Sequence, residues 1–459
     1  MNASMRFKLG IVLALAAVLA GCEGPCSKLE SVNAPGLGSS GIDLSTYVAV
    51  GTSLSSGFES GGLVDRHQVH SFPSLFARQI GKTVQIDGRG TFTQPVVDFD
   101  GIPSLLEIKS YSPLIISSAG RTTGAPTNFA QNFAYHNLGV PGAILLDLVD
   151  TTNYNADVAP VHRQNYTFFN LIQRHRGSIL VQALSLGPSI LSLEYGANEI
   201  LGPTAVAGVP PSSSTGAAFA QLMTISLNSI HAALPGTRVA VFNVPDVTSI
   251  PFFTTFPAFT VSTTSGQPLP LLGANGPLEL GDLVLLSAGS TIAAGTGIPT
   301  GGFNYINPAA GSNGQPLPES LILRLSEVTA ARTEIAQMNA VVDSVATRPF
   351  VARVDLAALL GEIATSGIHI GGNLYTSAFI SGGLFSLDGV HPNDLGYALM
   401  ANQMIDAVNA RFGAAVPRLN PIEFASPSSS RARPAAGARY PATIDGLEQE
   451  LRMLFPRSN

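Results

Sequence analysis

The segment Ser386-Leu387-Asp388-Gly389-Val390-His391-Pro392 offers a carboxylate and an imidazole three residues apart in a short, Gly-containing turn. A serine hydroxyl is a weak nucleophile at its own pKa; an imidazole that takes its proton and a carboxylate that fixes the imidazole tautomer make it a strong one. The turn therefore needs a serine. One stands far upstream in Gly51-Thr52-Ser53-Leu54-Ser55-Ser56-Gly57, directly after the apolar run Tyr47-Val48-Ala49-Val50. The chemistry such a set performs is acyl transfer.

Elements able to bring these residues together can be read from the pattern. The run at 47–51 reads as a first buried strand, and Ser53 then lies at its carboxyl end, where open α/β sheets place their sites. Further strand candidates are 132–138, 188–195, 238–244 and 350–355. Between them, 216–234 carries apolar residues at helical spacing, and Leu325, Val328, Ile335, Met338, Val342 and Val345 form a longer stripe. Alternating strands and helices predict a mostly parallel sheet covered on both faces. Asn393-Asp394 predicts a cap for a helix running to about Phe412, with Leu395, Leu399, Met400 or Met404, Ile405 and Val408 inward. Length alone allows one large domain or two small ones. Because Ser53 and His391 must meet, nearly everything between them belongs to one core.

Two more blocks stand between the serine and the histidine: Asn137-Leu138-Gly139-Val140-Pro141-Gly142 and Glu194-Tyr195-Gly196-Ala197-Asn198-Glu199. The four blocks, in this order, resemble the GDSL, or SGNH, family of serine esterases and lipases. The resemblance implies a three-layer, flavodoxin-like α/β fold with a mostly parallel central sheet and long loop insertions. It implies Ser53 as nucleophile, His391 as base and Asp388 as its orienting carboxylate. For the oxyanion hole it implies the backbone N–H of Ser53, the backbone N–H of Gly139 and the side-chain amide of Asn198. Gly139 suits a tight loop whose amide approaches a substrate. Two positions depart from the family: Thr52 and Glu199 each stand where it has Asp. Both changes fall on residues expected to support the site. The better-known elbow Gly-x-Ser-x-Gly is absent from the nucleophile block.

Arg6 and Lys8 precede an apolar run from Ile11 to Ala20, too short for a membrane-spanning helix but suited to a signal-peptide core. The run ends in Leu19-Ala20-Gly21-Cys22, which resembles the bacterial lipobox. That resemblance implies a leader at 1–21, an acylated Cys22, a tether at 22–46 that lifts the domain off a membrane, and a place in the bacterial cell envelope. The other reading is ordinary secretory cleavage near Gly21 with Cys22 left as a thiol. Cys26 is the one other cysteine, so lipidation of Cys22 leaves it without an intramolecular partner. A formal net charge of −6, which deepens once Arg6 and Lys8 are removed, argues against a nucleic-acid partner. Only 12% of residues are charged against 45% apolar, so material for a core is ample.

The hydrolase domain is expected over 47–415, with insertions near 59–130 and 251–318. The second insertion opens with Phe252, Phe253, Phe256 and Phe259, too many phenylalanines for disorder. They either line an acyl-chain pocket or lid, or pack the loop onto the domain. His67 and His70, beside Asp65, form a pair three apart without further ligands at a recognisable spacing, a poor zinc site. A polar loop near the site entrance is expected there, with no metal and no cofactor. His136, His162, His175, His231 and His369 have no partner pattern. In the segment 416–459, Ser426–Pro441 is expected to be disordered and 444–455 to be at most an amphipathic helix.

The sequence thus predicts a lipid-anchored hydrolase of carboxylic esters acting through an acyl-serine. Short acyl esters, lipids and acetylated sugars all suit that triad, since function lives in the site. The rival reading is a catalytically idle lipoprotein that uses the same scaffold to bind glycan or lipid.

Overall fold

A computed structural model describes residues 41–84, 91–111, 113–120, 124–150, 167–425, 440–445 and 447–455. Eight strands carry the argument. In chain order they are β1 (Tyr47–Gly51), the hairpin β2 (Leu106–Tyr111) and β3 (Leu114–Ser118), then β4 (Asn137–Gly139), β5 (Ile190–Glu194), β6 (Arg238–Phe242), β7 (Val351–Val354) and β8 (Pro441–Asp445). The short helix α1 (Ser53–Ser56) follows β1, and α2 (Phe72–Gln79) follows it. The longer helices are α3 (Ala197–Ala207), α4 (Thr215–Ala233), α5 (Leu325–Val345), α6 (Leu356–Thr365) and α7 (Asp394–Phe412), with α8 (Leu447–Leu454) behind β8.

A five-stranded sheet in the order β7-β6-β5-β1-β4 forms the centre, and every pairing in it is parallel. Its strands are near-continuous apolar runs because both faces are covered. Val48, Val50, Leu191, Leu193, Val239 and Val241 point into one core, filled by α3, α4 and α5 through Ile200, Met223, Leu227, Ile335 and Met338. The alternate positions Tyr47, Ala49, Ile190, Ala240 and Phe242 point into the other, filled by α2, α6 and α7. Each Leu, Val or Phe removed from water contributes roughly 1.5–3 kcal/mol. The result is the three-layer α/β fold of the SGNH hydrolases.

Register decides where the site forms. Gly51 pairs with Gly139 on one side and Glu194 on the other, so the carboxyl ends of β1, β4 and β5 stop side by side. Ser53 emerges just beyond. α7 begins as the sequence predicts: Asn393 Oδ1 accepts the Gly396 N–H at 3.1 Å, and the helix ends at Gly413 with φ of +67°. That cap fixes the helix start three residues after His391, and such caps contribute about 1 kcal/mol.

Three expectations change, and that of an ordered insertion at 251–318 holds. The strand expected at 132–138 is confined to Asn137–Gly139, because a short edge strand has only β1 to pair with. Residues 41–46, assigned to the tether, already lie on the domain: Leu44 is buried, and the Thr46 carbonyl accepts the N–H groups of Ser189 and Ile190. The insertion 251–318 is ordered and supplies Leu271, Leu285, Ile292 and Leu317 to the core. The tail is the largest correction. Residues 426–439 lie outside the described ones, but β8 pairs in parallel with β3, and Leu447, Leu451 and Leu454 of α8 are buried in the main core. The amphipathic pattern expected at 444–455 docks in a groove that leaves no local mark in the sequence. Residues 1–21 and both cysteines, Cys22 and Cys26, lie outside the described residues. Among the described residues no helix is long and apolar enough to cross a membrane.

Candidate functional site

Ser53 opens α1, immediately after β1, and His391 and Asp388 share the turn before α7. The fold brings them together: His391 Nε2 lies 2.9 Å from Ser53 Oγ, and His391 Nδ1 lies 3.0 Å from Asp388 Oδ2. All three are buried. Asp388 also accepts the N–H groups of Val390 and His391 on Oδ1 and that of Gly61 on Oδ2. Burial pushes its carboxyl upward, but His391 and these donors outweigh it and hold it below the ordinary range. An ionised Asp388 cannot donate, so Nδ1 carries the imidazole proton and Nε2 is left to accept from Ser53. The ring of Phe58 packs against the imidazole at a tilt of 49°, with ring centroids 4.8 Å apart.

The turn is braced from two insertions. Ser60 and Gly61, from the first, donate their N–H groups to Ser386 Oγ and Asp388 Oδ2 at 2.9 and 3.0 Å. Phe252, from the second, donates its N–H to the Gly389 carbonyl at 2.8 Å. Gly389 has φ of +71°, and a Cβ there would meet Leu286 Cδ2 at 2.6 Å, so both backbone shape and space select glycine.

Thr52 and Glu199 turn out to be braces. The Thr52 N–H donates to Glu194 Oε2 at 3.0 Å, its hydroxyl donates to the same carboxylate, and Ser55 Oγ adds a further bond at 3.0 Å. Burial pushes Glu194 up to about 7 against these donors. Glu199 Oε1 accepts the Leu145 N–H at 2.8 Å, tying α3 to the loop after β4.

The proposed oxyanion donors divide. Asn198 Nδ2 donates to the Ala143 carbonyl at 2.8 Å, and a carboxamide nitrogen has a second hydrogen for a ligand. Asn198 lines the same cleft as Ser53 and His391. Gly139 does not fit its expected role: its N–H donates to Asn137 Oδ1 at 3.1 Å, within β4. A Cβ at Gly139 would lie 2.6 Å from Ser55 Cβ, so this glycine serves close packing of β4 on α1.

The cleft beside Ser53 has a volume of about 90 Å³. Leu356, Leu359, Leu360 and Ile363 of α6 line it, with Leu384 and Met400. The phenylalanine cluster lies elsewhere. Phe252, Phe253 and Phe256 are buried in the main core, Phe256 faces Tyr305 and Tyr440, and Phe259 is half-buried in a short strand. None lines the cleft. They pack the insertion onto the domain, because a loop this long needs an apolar cluster of its own.

Glu450 was invisible to sequence reasoning. It lies on α8, 1% exposed, with Oε1 3.8 Å from His391 Nδ1 and neither oxygen hydrogen-bonded. Burial, with the charge of Asp388 adding to it, raises its carboxyl well above the ordinary range. No motif marks it, because α8 reaches the site only through tertiary packing.

Among the described residues, two groupings of His and carboxylates could hold a metal: Asp388, His391 and Glu450, and Glu59, His67 and Asp394. In the second, His67 and His70 meet acidic partners from the first insertion and from α7. Elsewhere, His136 is bonded to Thr93 and His231 stacks on Phe350.

With this geometry described, similarity to known proteins can be stated. No curated protein matches the chain. A solved structure of phospholipase A1 from Streptomyces albidoflavus NA297 is similar at 13% identity and a TM-score of 0.31, covering 80% of this chain and 100% of that one. The family model described as GDSL-like Lipase/Acylhydrolase matches residues 47–404, a span that holds Ser53, Asn198, Asp388 and His391. The chain belongs to the GDSL-like lipase/acylhydrolase family, and is an ester hydrolase in the general sense of that family.

Proposed function

We propose that the protein hydrolyses carboxylic esters with an apolar acyl chain through an acyl-serine intermediate. The observation that carries this reading is the chain of short contacts from Asp388 through His391 to Ser53, opening onto a cleft walled by aliphatic side chains. Ser53 Oγ attacks the ester carbonyl carbon while its proton passes to His391 Nε2. The oxyanion of the tetrahedral intermediate is met by the Ser53 N–H and the Asn198 amide. On collapse the carbon–oxygen bond to the alcohol breaks, and His391 returns the proton to the leaving alkoxide. Water, deprotonated by His391, then attacks the acyl-serine, which releases the acid and restores Ser53.

The apolar cleft favours a chain of several carbons over acetyl, which ranks a carbohydrate O-acetylesterase second. The lipobox-like Leu19-Ala20-Gly21-Cys22 supports membrane anchoring through Cys22 as part of the same proposal. The test is a panel of chromogenic esters from acetyl to long acyl, with mature protein and its Ser53→Ala variant. The expected result is serine-dependent hydrolysis that rises with chain length. A well-folded sample inert across the panel would instead make the protein a binding module on this scaffold.

A further inference from the structure

We propose that Glu59, His67 and Asp394 bind a divalent transition-metal ion, with Zn²⁺ as the probe of choice, and that His70 orients the aspartate. The inference is independent of the esterase reading. His67 Nδ1 lies 3.1 Å from Glu59 Oε2 and 3.4 Å from Asp394 Oδ1, and His70 Nδ1 lies 2.9 Å from Asp394 Oδ2. The three ligand atoms all lie within 4.8 Å of one another. Ligands held roughly 2.0–2.2 Å from a four-coordinate ion sit roughly 3.3–3.6 Å apart, and the two His67 distances of 3.1 and 3.4 Å lie close to that spacing.

A second observation separates this group from an ordinary ion pair. Glu59 is 8% exposed, and its Oε2 has no hydrogen-bond donor aligned with it although an imidazole nitrogen is close by. One Nδ1–H serves two carboxylate oxygens only by dividing itself in a weaker three-centre bond, whereas one cation serves all three atoms. His70 on the other aspartate oxygen is the kind of outer partner that orients a metal-bound carboxylate. The exposed Arg66, with Nε 3.4 Å from His67 Nε2, is the competing feature: that contact needs a lone pair on Nε2 and a proton on Nδ1. Metal binding displaces it.

The location gives the ion a role. Glu59 precedes Ser60 and Gly61, whose N–H groups hold Ser386 and Asp388, and Asp394 lies three residues after His391. An ion between Glu59 and Asp394 clamps both arms of the turn that presents the imidazole.

The experiment is a calorimetric titration of the full chain, stripped with EDTA, first with Zn²⁺ and then with Mn²⁺, alongside elemental analysis and thermal melting. One ion per chain and a raised thermal midpoint are expected. His67→Gln and Asp394→Asn should each remove the site, and His70→Ala should weaken it about 10–100-fold. His391→Ala should bind normally, which separates this group from the buried Asp388, His391 and Glu450. Should a variant fail to fold by circular dichroism, Glu59→Gln replaces it. No stoichiometric uptake with an unmoved midpoint would overturn the proposal and leave a hydrogen-bonded ion pair, as would equal uptake by wild type and the folded variants.

Discussion

Glu450 places a second carboxyl 3.8 Å from the His391 nitrogen that Asp388 already holds. Two buried carboxylates cannot share one imidazole without repulsion, and the environments push them apart: Asp388 low and charged, Glu450 high and neutral. Above an ordinary carboxyl pKa of 4.5 the unfolded chain ionises Glu450 while the folded protein keeps its proton. The folded state then binds more protons, so this group lowers stability as pH rises, by about 1.4 kcal/mol per unit. Glu450→Gln, which faces Asp388 and His391 with a neutral amide, should remove that decline. Urea denaturation at pH 5 and pH 7.5 checks it, and a stability difference between the two proteins that is the same at both values would refute it.

Ser53→Ala should leave a folded protein without esterase turnover, and a sulfonyl fluoride should label wild type at Ser53, located by mass spectrometry. Asn198→Ala removes one oxyanion donor and should lower kcat by about 10²–10³. An adduct on another serine, or an active Ser53→Ala, would show that the triad has been misassigned.

Chain-length preference should follow α6, not the phenylalanine cluster. Leu360→Trp fills the cleft and should penalise octanoyl esters far more than acetyl esters, since each methylene displaced from apolar contact is worth about 0.8 kcal/mol. Phe253→Ala should instead destabilise by about 3–5 kcal/mol, with equal losses on both esters at equal folded fraction. The reverse pattern would return the acyl pocket to the insertion.

Gly142 has φ of +79°, and a Cβ there would run into the Leu454 carbonyl at the end of α8. Gly142→Ala should therefore unseat α8 before it harms the sheet. Limited proteolysis reads this directly: new cleavage after residue 440 with the main domain intact is the expected result, and an unchanged digestion pattern counts against it.

The sheet, its long helices and the grouping of Ser53 with Asp388 and His391 were legible because each leaves a local trace: the unbroken apolar runs of β1 and β5, the Asn393 cap, and Asp388 and His391 in one turn. Gly139 misled because a glycine at a strand end looks the same whether its N–H faces a substrate or the Asn137 side chain. Phe252, Phe253 and Phe256 carry no mark that separates a core ring from a lid ring. Of the two carboxylates beside His67, Glu59 comes from eight residues upstream and Asp394 from more than 300 downstream, so no local spacing reveals the group. The amphipathic pattern of α8 was legible, but its docking was not, because it follows a segment of disorder-like composition and only the groove beside β3 and Gly142 gives it a place to dock.

The bond between His391 and Ser53 joins residues 338 apart, and the one between Gly61 and Asp388 spans 327. Closing loops of that length is entropically costly and is not rewarded until the intervening sheet has formed. Catalytic competence is therefore a late event in folding. After dilution from denaturant, far-UV ellipticity should recover first and ester turnover last, with the lag measuring how slowly the two ends of the chain find each other.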